Sequence, residues 1–593
     1  MKTGKKLMTG NEAVARGAYE AGLRFASAYP GTPSTEILEN LVQYKDSLYC
    51  EWAPNEKVAV EAAIGASMAG VRSMAAMKHV GLNVAADPLF TFAYTGVTGG
   101  CVIVSADDPG MHSSQNEQDN RHYAEAAKVM MLEPSDSQEA KDFMKLGLAL
   151  SEKFDTPVLL RMTTRVCHSK GLVALEDPVY VPVVEYAKKT EKYVAIPANA
   201  RKLREKLSRR IDAMTKYSNK AEINVAEYNS PETGVVSSGV AYQYAREVFG
   251  EGASYLKLGL TWPLPVELIE VFASKVKKLY VVEELDPYLE NRLKMAGVKC
   301  TGKKVMPEWG ELNTDVVRKA VFGTEAENIN FEARAVPRPP ALCAGCPHRG
   351  LFVVLSKMKN LIITGDIGCY TLAAAPPLSA MDSCFCMGGS ISTGHGAAKA
   401  LKQAGIKRKV VSVIGDSTFF HSGVGSLMDV IYNKGNSVSV ILDNRITAMT
   451  GRQENPGTGF TLMGDRTREV DIAALCAALG IRREDLYTVN PLRLDDVRSA
   501  LEDALKKDRP TVIITRWPCV LKKFAEEDAK EFDLKGKARA VDEKKCRMCG
   551  ICGKIGCPAI HTSDRVKIDR ESCTGCAVCE QVCPFSAIGE VTE

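Results

Sequence analysis

The chain has 593 residues, 45% hydrophobic and 25% charged, which are ordinary proportions for globular protein and too many residues for one hydrophobic core. Its 76 Lys and Arg against 72 Asp and Glu leave a net charge of +4, so nothing argues for nucleic acid or an anionic membrane as the main partner. The opening MKTGKKLMTG lacks the apolar stretch of a signal peptide and no run of about 18 apolar residues occurs, so a cytoplasmic protein without a membrane span is expected.

In chain order, residues 1–180 alternate apolar runs (101–104, 156–160) with small-residue helical stretches such as 56–68, which predicts a doubly wound α/β domain. A polar, basic connection follows over 181–228, with a helix predicted inside RKLREKLSRRIDAM. A smaller α/β unit is expected over 229–325, with strands in GVVSSG, SYLKLG and KKLYVVEE. The turn-rich ARAVPRPPA belongs to a linker at 326–341. A second large α/β domain is expected over 342–521, followed by a charged tether at 522–541 and a cysteine-rich tail at 542–593.

Within the second large domain, 409–414 and 437–442 are β-branched and apolar and read as buried strands. Between them, apolar Val424, Leu427, Met428 and Ile431 follow helical spacing, with Ser422 as a candidate N-cap and Lys434-Gly435 as a stop. A strand–helix–strand unit of this length requires a right-handed parallel crossover. Asp416 and Asn444 then lie at the same carboxyl edge, where α/β sheets bind ligands. Two oxygen side chains beside a helix N-terminus suit a Mg²⁺ ion bridging a diphosphate. The plain alternative is a pair of ordinary turn residues.

Of 19 cysteines, eight fall between Cys546 and Cys583, a cluster that reads as metal ligation in a reducing compartment. The run Cys573, Cys576, Cys579, Cys583 fits C-x2-C-x2-C-x3-C-P; Cys546, Cys549, Cys552, Cys557 has one extra residue before its last Cys. In that pattern three close thiolates hold one cubane and the fourth reaches the other. One [4Fe–4S] cluster is therefore assigned to Cys546, Cys549, Cys552 and Cys583, and the other to Cys573, Cys576, Cys579 and Cys557. Two zinc sites are the alternative.

The GDS…DN pattern around Asp416 and Asn444 resembles the thiamine diphosphate motif, which adds the Ile446 carbonyl as a Mg²⁺ ligand and places Gly415 and Ser417 in the cofactor loop. With the tail, this resembles the 2-oxoacid:ferredoxin oxidoreductases. YPGTPSTEILENL, NEKVAVEAAIGASMAG, MKHVGLNVAADPL, DDPGMHSSQNEQDNR, CAGCPHRG and FCMGGSISTGHGAAKA narrow it to a resemblance to the indolepyruvate ferredoxin oxidoreductase alpha-subunit family, from about Met8 to the end. The resemblance implies two thiamine-diphosphate-type domains: a pyrimidine-binding one at 1–180 and a diphosphate-binding one at 342–521. The unit at 229–325 is similar to the transketolase C-terminal domain, and the tail to a two-cluster ferredoxin.

The resemblance also implies oxidative decarboxylation of an aryl pyruvate with CoA as acyl acceptor and ferredoxin as electron acceptor. It brings a separate smaller beta subunit and a homodimeric assembly. A carboxylate must meet the pyrimidine nitrogen, and Glu56 is the choice. It opens a helix whose small residues Ala59, Ala62, Ala63, Gly65 and Ala66 are read as a face allowing close approach, and it stands nine residues before Gly65, as in the family. Glu61 is the rival. Thr32 matches a position contacting the oxoacid carboxylate, or else caps a turn. His79, His112 and His348 are candidates for proton handling, or are simply hydrogen-bonded in place. Several related catalytic subunits hold a further cluster on a CxGC pair, a GIGC-type Cys and a Cys after Pro, which nominates Cys343, Cys346, Cys369 and Cys519 for a third [4Fe–4S] cluster. Buried free thiols, or zinc with His348, are the alternatives. Rival functions are the same reaction on another oxoacid, a non-redox thiamine decarboxylase or synthase, and a non-catalytic electron carrier.

Overall fold

The computed structural model describes residues 4–325 and 339–591, so most of the expected linker at 326–341 lies outside the described residues. The chain divides into two compact units, Met1–Glu332 and Ala333–Glu593.

The first unit is built on a seven-stranded sheet. Its order is Leu260–Trp262, Met130–Leu132, Val158–Thr163, Cys101–Asp107, Ser73–Lys78, Phe25–Ala28, Tyr49–Trp52, and only the Leu260–Trp262 edge is antiparallel. Every residue of Cys101–Asp107 is buried, as a central parallel strand covered on both faces requires. Helix Glu56–Met68 starts behind Asn55, whose side chain accepts from the Val58 N–H at 2.9 Å. Its Ala59 and Ala63, four residues apart, are fully buried, while Glu61 and Gly65 face solvent. The single small-residue face expected for this helix is therefore split between its buried and exposed sides.

The predicted basic helix forms as Pro197–Ser218. The connection also holds a strand, Asn224–Glu227, which pairs antiparallel with Ser254–Leu258 and completes a four-stranded sheet with Thr233–Ser238 and Lys278–Val282. Because Leu260–Trp262 leaves this region to pair with Met130–Leu132, the smaller α/β region shares strands with the larger sheet. Buried Arg121 fastens the two, binding Asp119, Glu283 (2.7 Å) and the Glu284 carbonyl (2.9 Å).

The second unit carries six parallel strands, in the order Ser383–Cys384, Leu361–Gly365, Lys409–Gly415, Val438–Asp443, Thr511–Arg516, Leu486–Val489. The helix after Lys409–Gly415 begins at once, at Asp416, and passes through a π-helical turn, Phe419–Gly423, into Val424–Tyr432. Ser422 is therefore inside the helical run and not its N-cap. It packs under the 388 loop, where a Cβ on Gly388 would stand 2.4 Å from the Ser422 Cβ. Such π turns recur at functional sites.

The cysteine tail is not held on a tether. Cys552, Ile555, Val566, Val578, Cys579 and Ile588 share one hydrophobic core with Leu351, Phe352, Val497 and Leu501. Arg349, 1% exposed, donates to the Ile555 carbonyl at 2.7 Å and to the Leu342 and Cys343 carbonyls at 2.7 and 2.9 Å. The segment expected as a tether forms helix Glu526–Glu531 and strand Arg539–Val541, the latter paired with Ile588–Glu590. Some of its charges, which suggested a solvated linker, are paired instead: Arg516 holds Glu531 at 2.6 Å and Lys522 holds Asp528.

Candidate active site

In the first unit, adjacent parallel strands deliver Thr32, Glu56 and His79 to one carboxyl edge: Phe25–Ala28 leads to Thr32, Tyr49–Trp52 to Glu56, and Ser73–Lys78 to His79. Glu56 is 5% exposed, and Gly81 backs directly onto it, since a Cβ there would stand 2.7 Å from Glu56 Cγ. Glu61 lies on the exposed side of the helix, paired with Lys57. Thr32 is half-buried, and its carbonyl faces the Ser113 hydroxyl at 3.4 Å. His79 is fully buried, its Nε2 donating to the Asn116 carbonyl at 3.1 Å while Nδ1 has no partner. Burial, then the charge of Lys78, depresses its pKa, so the ring is a neutral acceptor at Nδ1. His112 is elsewhere: half-exposed, it meets Glu311 at 3.2 Å, which Arg165 also holds at 2.8 Å.

Two residues at this edge went unnoticed in the sequence. Lys78 donates to the Ser113 carbonyl at 2.9 Å; burial lowers its pKa, against the charges of Asp108 and Glu56. Asp108 accepts from Ser113 N–H (2.8 Å) and Ser114 Oγ (2.7 Å), fixing the loop after strand Cys101–Asp107. The only signal was their place at strand ends inside the phrases MKHVGL and DDPGMHSS.

In the second unit, Asp416 and Asn444 follow neighbouring parallel strands, as the crossover argument requires. Asp416 is 3% exposed; one oxygen accepts from Ser417 N–H at 2.7 Å, and Oδ2 is buried without a partner. Burial, and then the neighbouring Asp443 charge, push the Asp416 pKa up to about 8. Asp443 has Arg516 to balance it; Asp416 has no cation within ion-pair distance among the described residues. An orphaned carboxylate oxygen beside oxygen donors fits a divalent cation, which would supply the missing charge. Asn444 Oδ1 accepts from Ile446 N–H at 3.2 Å, and its amide meets His348 Nε2 at 3.3 Å. His348 is buried and depressed to about 4, hence neutral. Ser417 Oγ accepts from Thr447 at 2.9 Å, and a Cβ on Gly415 would stand 2.8 Å from the Tyr370 ring. Asn455, also unnoticed in the sequence, hydrogen-bonds Asp416 and works against that rise. Asp366 closes the loop beside it, accepting from the Gly388 and Ser390 N–H groups at 2.7 and 2.9 Å.

Cys343, Cys346, Cys369 and Cys519 are neighbours in space. Cys519 and Cys369 raise the Cys346 thiol, which burial first pushes up to about 12, and Cys343 acts on both Cys369 and Cys519. The Cys519 N–H donates to the Asn444 carbonyl at 2.9 Å, and Asp416 is among the charges acting on its thiol. In the tail, one cavity is lined by Cys546, Cys549, Cys552 and Cys583, and another by Cys557, Cys573, Cys576 and Cys579. No described helix is long and apolar enough to cross a membrane.

Three family models match: "Pyruvate flavodoxin/ferredoxin oxidoreductase, thiamine diP-bdg" over 16–235, "Thiamine pyrophosphate enzyme, C-terminal TPP binding domain" over 366–515, and "4Fe-4S binding domain" over 566–589. The chain is 41% identical to the indolepyruvate oxidoreductase subunit IorA of Archaeoglobus fulgidus, over 98% of this chain and 97% of that one. The same-named subunit of Methanothermobacter thermautotrophicus is 42% identical (98% and 97% covered), and that of Pyrococcus horikoshii 38% (100% and 98%). Identity of this order over nearly the whole of both chains decides the family: the chain belongs to the indolepyruvate oxidoreductase subunit IorA family of thiamine diphosphate-dependent 2-oxoacid oxidoreductases.

Proposed function

We propose that this chain is the catalytic subunit that oxidatively decarboxylates aryl pyruvates, indolepyruvate among them. The oxoacid and CoA become aryl-acetyl-CoA and CO2, with one proton and two electrons released, the electrons passing singly to ferredoxin. The observation that supports a redox reaction over a plain decarboxylation is the meeting of Cys343, Cys346, Cys369 and Cys519 beside Asp416, whose Oδ2 is buried without a partner. Four thiols at a cofactor loop give electrons somewhere to go.

Thiamine diphosphate, when bound, supplies a carbon nucleophile and an electron sink for decarboxylation. The chain's residues position it. Asp416, Asn444 and the Ile446 carbonyl are assigned to Mg²⁺, with Gly415 and Ser417 shaping the diphosphate loop. Glu56, whose side chain is buried, is assigned to the pyrimidine ring nitrogen. Thr32 is assigned to the oxoacid carboxylate, and neutral His79 offers Nδ1 as a proton acceptor. Three [4Fe–4S] clusters are proposed: one on Cys343, Cys346, Cys369 and Cys519, and two in the tail on the cysteines lining its two cavities. A smaller beta subunit and a homodimeric assembly complete the enzyme. The test is a screen of 2-oxoacids with CoA and ferredoxin, with and without the partner subunit. Preference for an aryl pyruvate is expected. CoA-independent aldehyde formation without ferredoxin reduction would overturn the reading.

A further inference from the structure

The two cysteine cavities of the tail differ in their surroundings. The one lined by Cys557, Cys573, Cys576 and Cys579 is also lined by Ala344 and Gly345, from the loop that carries Cys343 and Cys346, and by Arg349 of the helix that follows. Arg349 acts electrostatically on both Cys346 and Cys576, so this cavity is the tail's inner face. The cavity of Cys546, Cys549, Cys552 and Cys583 is lined by residues 541–588 alone, and Cys549 is the one exposed cysteine of the tail.

The surface around Cys549 has a distinct composition. Phe585, 44% exposed, lines the cavity, and Met548, 48% exposed, immediately precedes Cys549 in the chain. Lys544, Lys545 and Arg547 are exposed within five residues of Cys549. Lys545 reaches Asp542 only at 3.7 Å, and neither Lys544 nor Arg547 meets a carboxylate among the described residues. The nearby Glu543 is taken by Arg565 at 2.9 Å. The result is a small apolar centre with an unbalanced positive rim, over one edge of a cysteine site. Such a surface suits a transient complex, where area is small and charge steers encounter.

We propose that electrons enter the tail at the inner cavity and leave at the Cys549 edge, where a small acidic one-electron carrier protein docks. Its carboxylates face Lys544, Lys545 and Arg547, and its own cofactor edge faces Met548 and Phe585. The step is a one-electron transfer, oxidising the tail and reducing the carrier, and no bond is made or broken. The proposal rests on the functional reading above, which supplies the electrons and names ferredoxin as their acceptor.

The test uses the holoenzyme with its partner subunit and an acidic ferredoxin as probe. Lys544→Glu with Lys545→Glu is compared with the parent by calorimetric titration of oxidised ferredoxin and by steady-state reduction. A tenfold or larger rise in Kd and in KM for ferredoxin is expected, about 1.4 kcal/mol, with a flatter salt dependence. Methyl viologen, which needs no docking surface, should be reduced at the parent rate. Lys567→Glu with Arg570→Glu, on the segment leading to Cys573, should leave the ferredoxin Kd unchanged. An unchanged Kd in the first variant, or an equal loss in the second, overturns the docking site. A parent enzyme that reduces neither acceptor overturns the functional reading instead, and the calorimetric comparison still decides where ferredoxin binds.

Discussion

Gly345→Ala tests whether the tail is docked or tethered. Gly345 has φ +69°, a left-handed conformation that costs a residue bearing a Cβ about 1–2 kcal/mol. The added Cβ would stand 1.9 Å from Thr574 Oγ1 and 2.8 Å from Thr574 Cβ, and no rotamer change moves the latter. The Thr574 backbone cannot withdraw freely either, because a Cβ on its neighbour Gly575 would stand 2.5 Å from the Gly536 carbonyl carbon, so the two loops already touch. Overpacking of this kind costs about 1–3 kcal/mol, for a total of about 2–5 kcal/mol against the docked tail. The assay is denaturant-induced bleaching of the iron–sulfur absorption in anaerobic holoprotein, with iron counted after gel filtration. Adding Thr574→Gly to Gly345→Ala should restore the overpacking part and leave only the conformational cost, a coupling of about 1–3 kcal/mol. A Gly345→Ala protein within about 0.5 kcal/mol of the parent would mean the tail does not sit on this loop.

Other outcomes follow from the same geometry. Asp416 holds its proton up to about pH 8 in the metal-free fold, while the unfolded chain releases it near pH 4, so the stability of the metal-free protein falls as pH rises between those values. Mg²⁺ with thiamine diphosphate must displace that proton, so calorimetry should show affinity rising up to about tenfold per pH unit towards pH 8 with proton release; a flat profile would remove Asp416 from the metal site. Glu56→Gln should retain cofactor while turnover falls about 10²–10⁴-fold, whereas Glu61→Gln, on the solvent side, should change it less than about twofold; the reverse ranking would reassign the carboxylate. Iron analysis of full-length protein prepared without oxygen should give about twelve atoms per chain, falling towards eight in Cys519→Ser; about eight in both would discard the third cluster.

Much of the fold was legible in the sequence because it is written in local periodicity. The apolar stretches at 101–104 and 437–442 read as buried strands, and they form within Cys101–Asp107 and Val438–Asp443, buried throughout. The division of the tail cysteines into two sets was legible from their spacing, and two cavities group them in the same way. What sequence could not decide were contacts between remote segments. The charges of 522–541 read as solvated, yet Arg516 and Arg539 bind Glu531 and Glu580, partners no local pattern reveals. Lys78 and Asp108 acquire meaning only when neighbouring parallel strands bring their ends to one edge. Cys369 and Cys519 follow parallel strands of one sheet, and the loop before helix His348–Leu355 brings Cys343 and Cys346 to them. Parallel pairing places side by side the ends of segments that lie far apart in the chain, and the burial that follows leaves Asp416 Oδ2 without a partner. Composition and spacing choose the elements; only their packing sets which charges end up desolvated together.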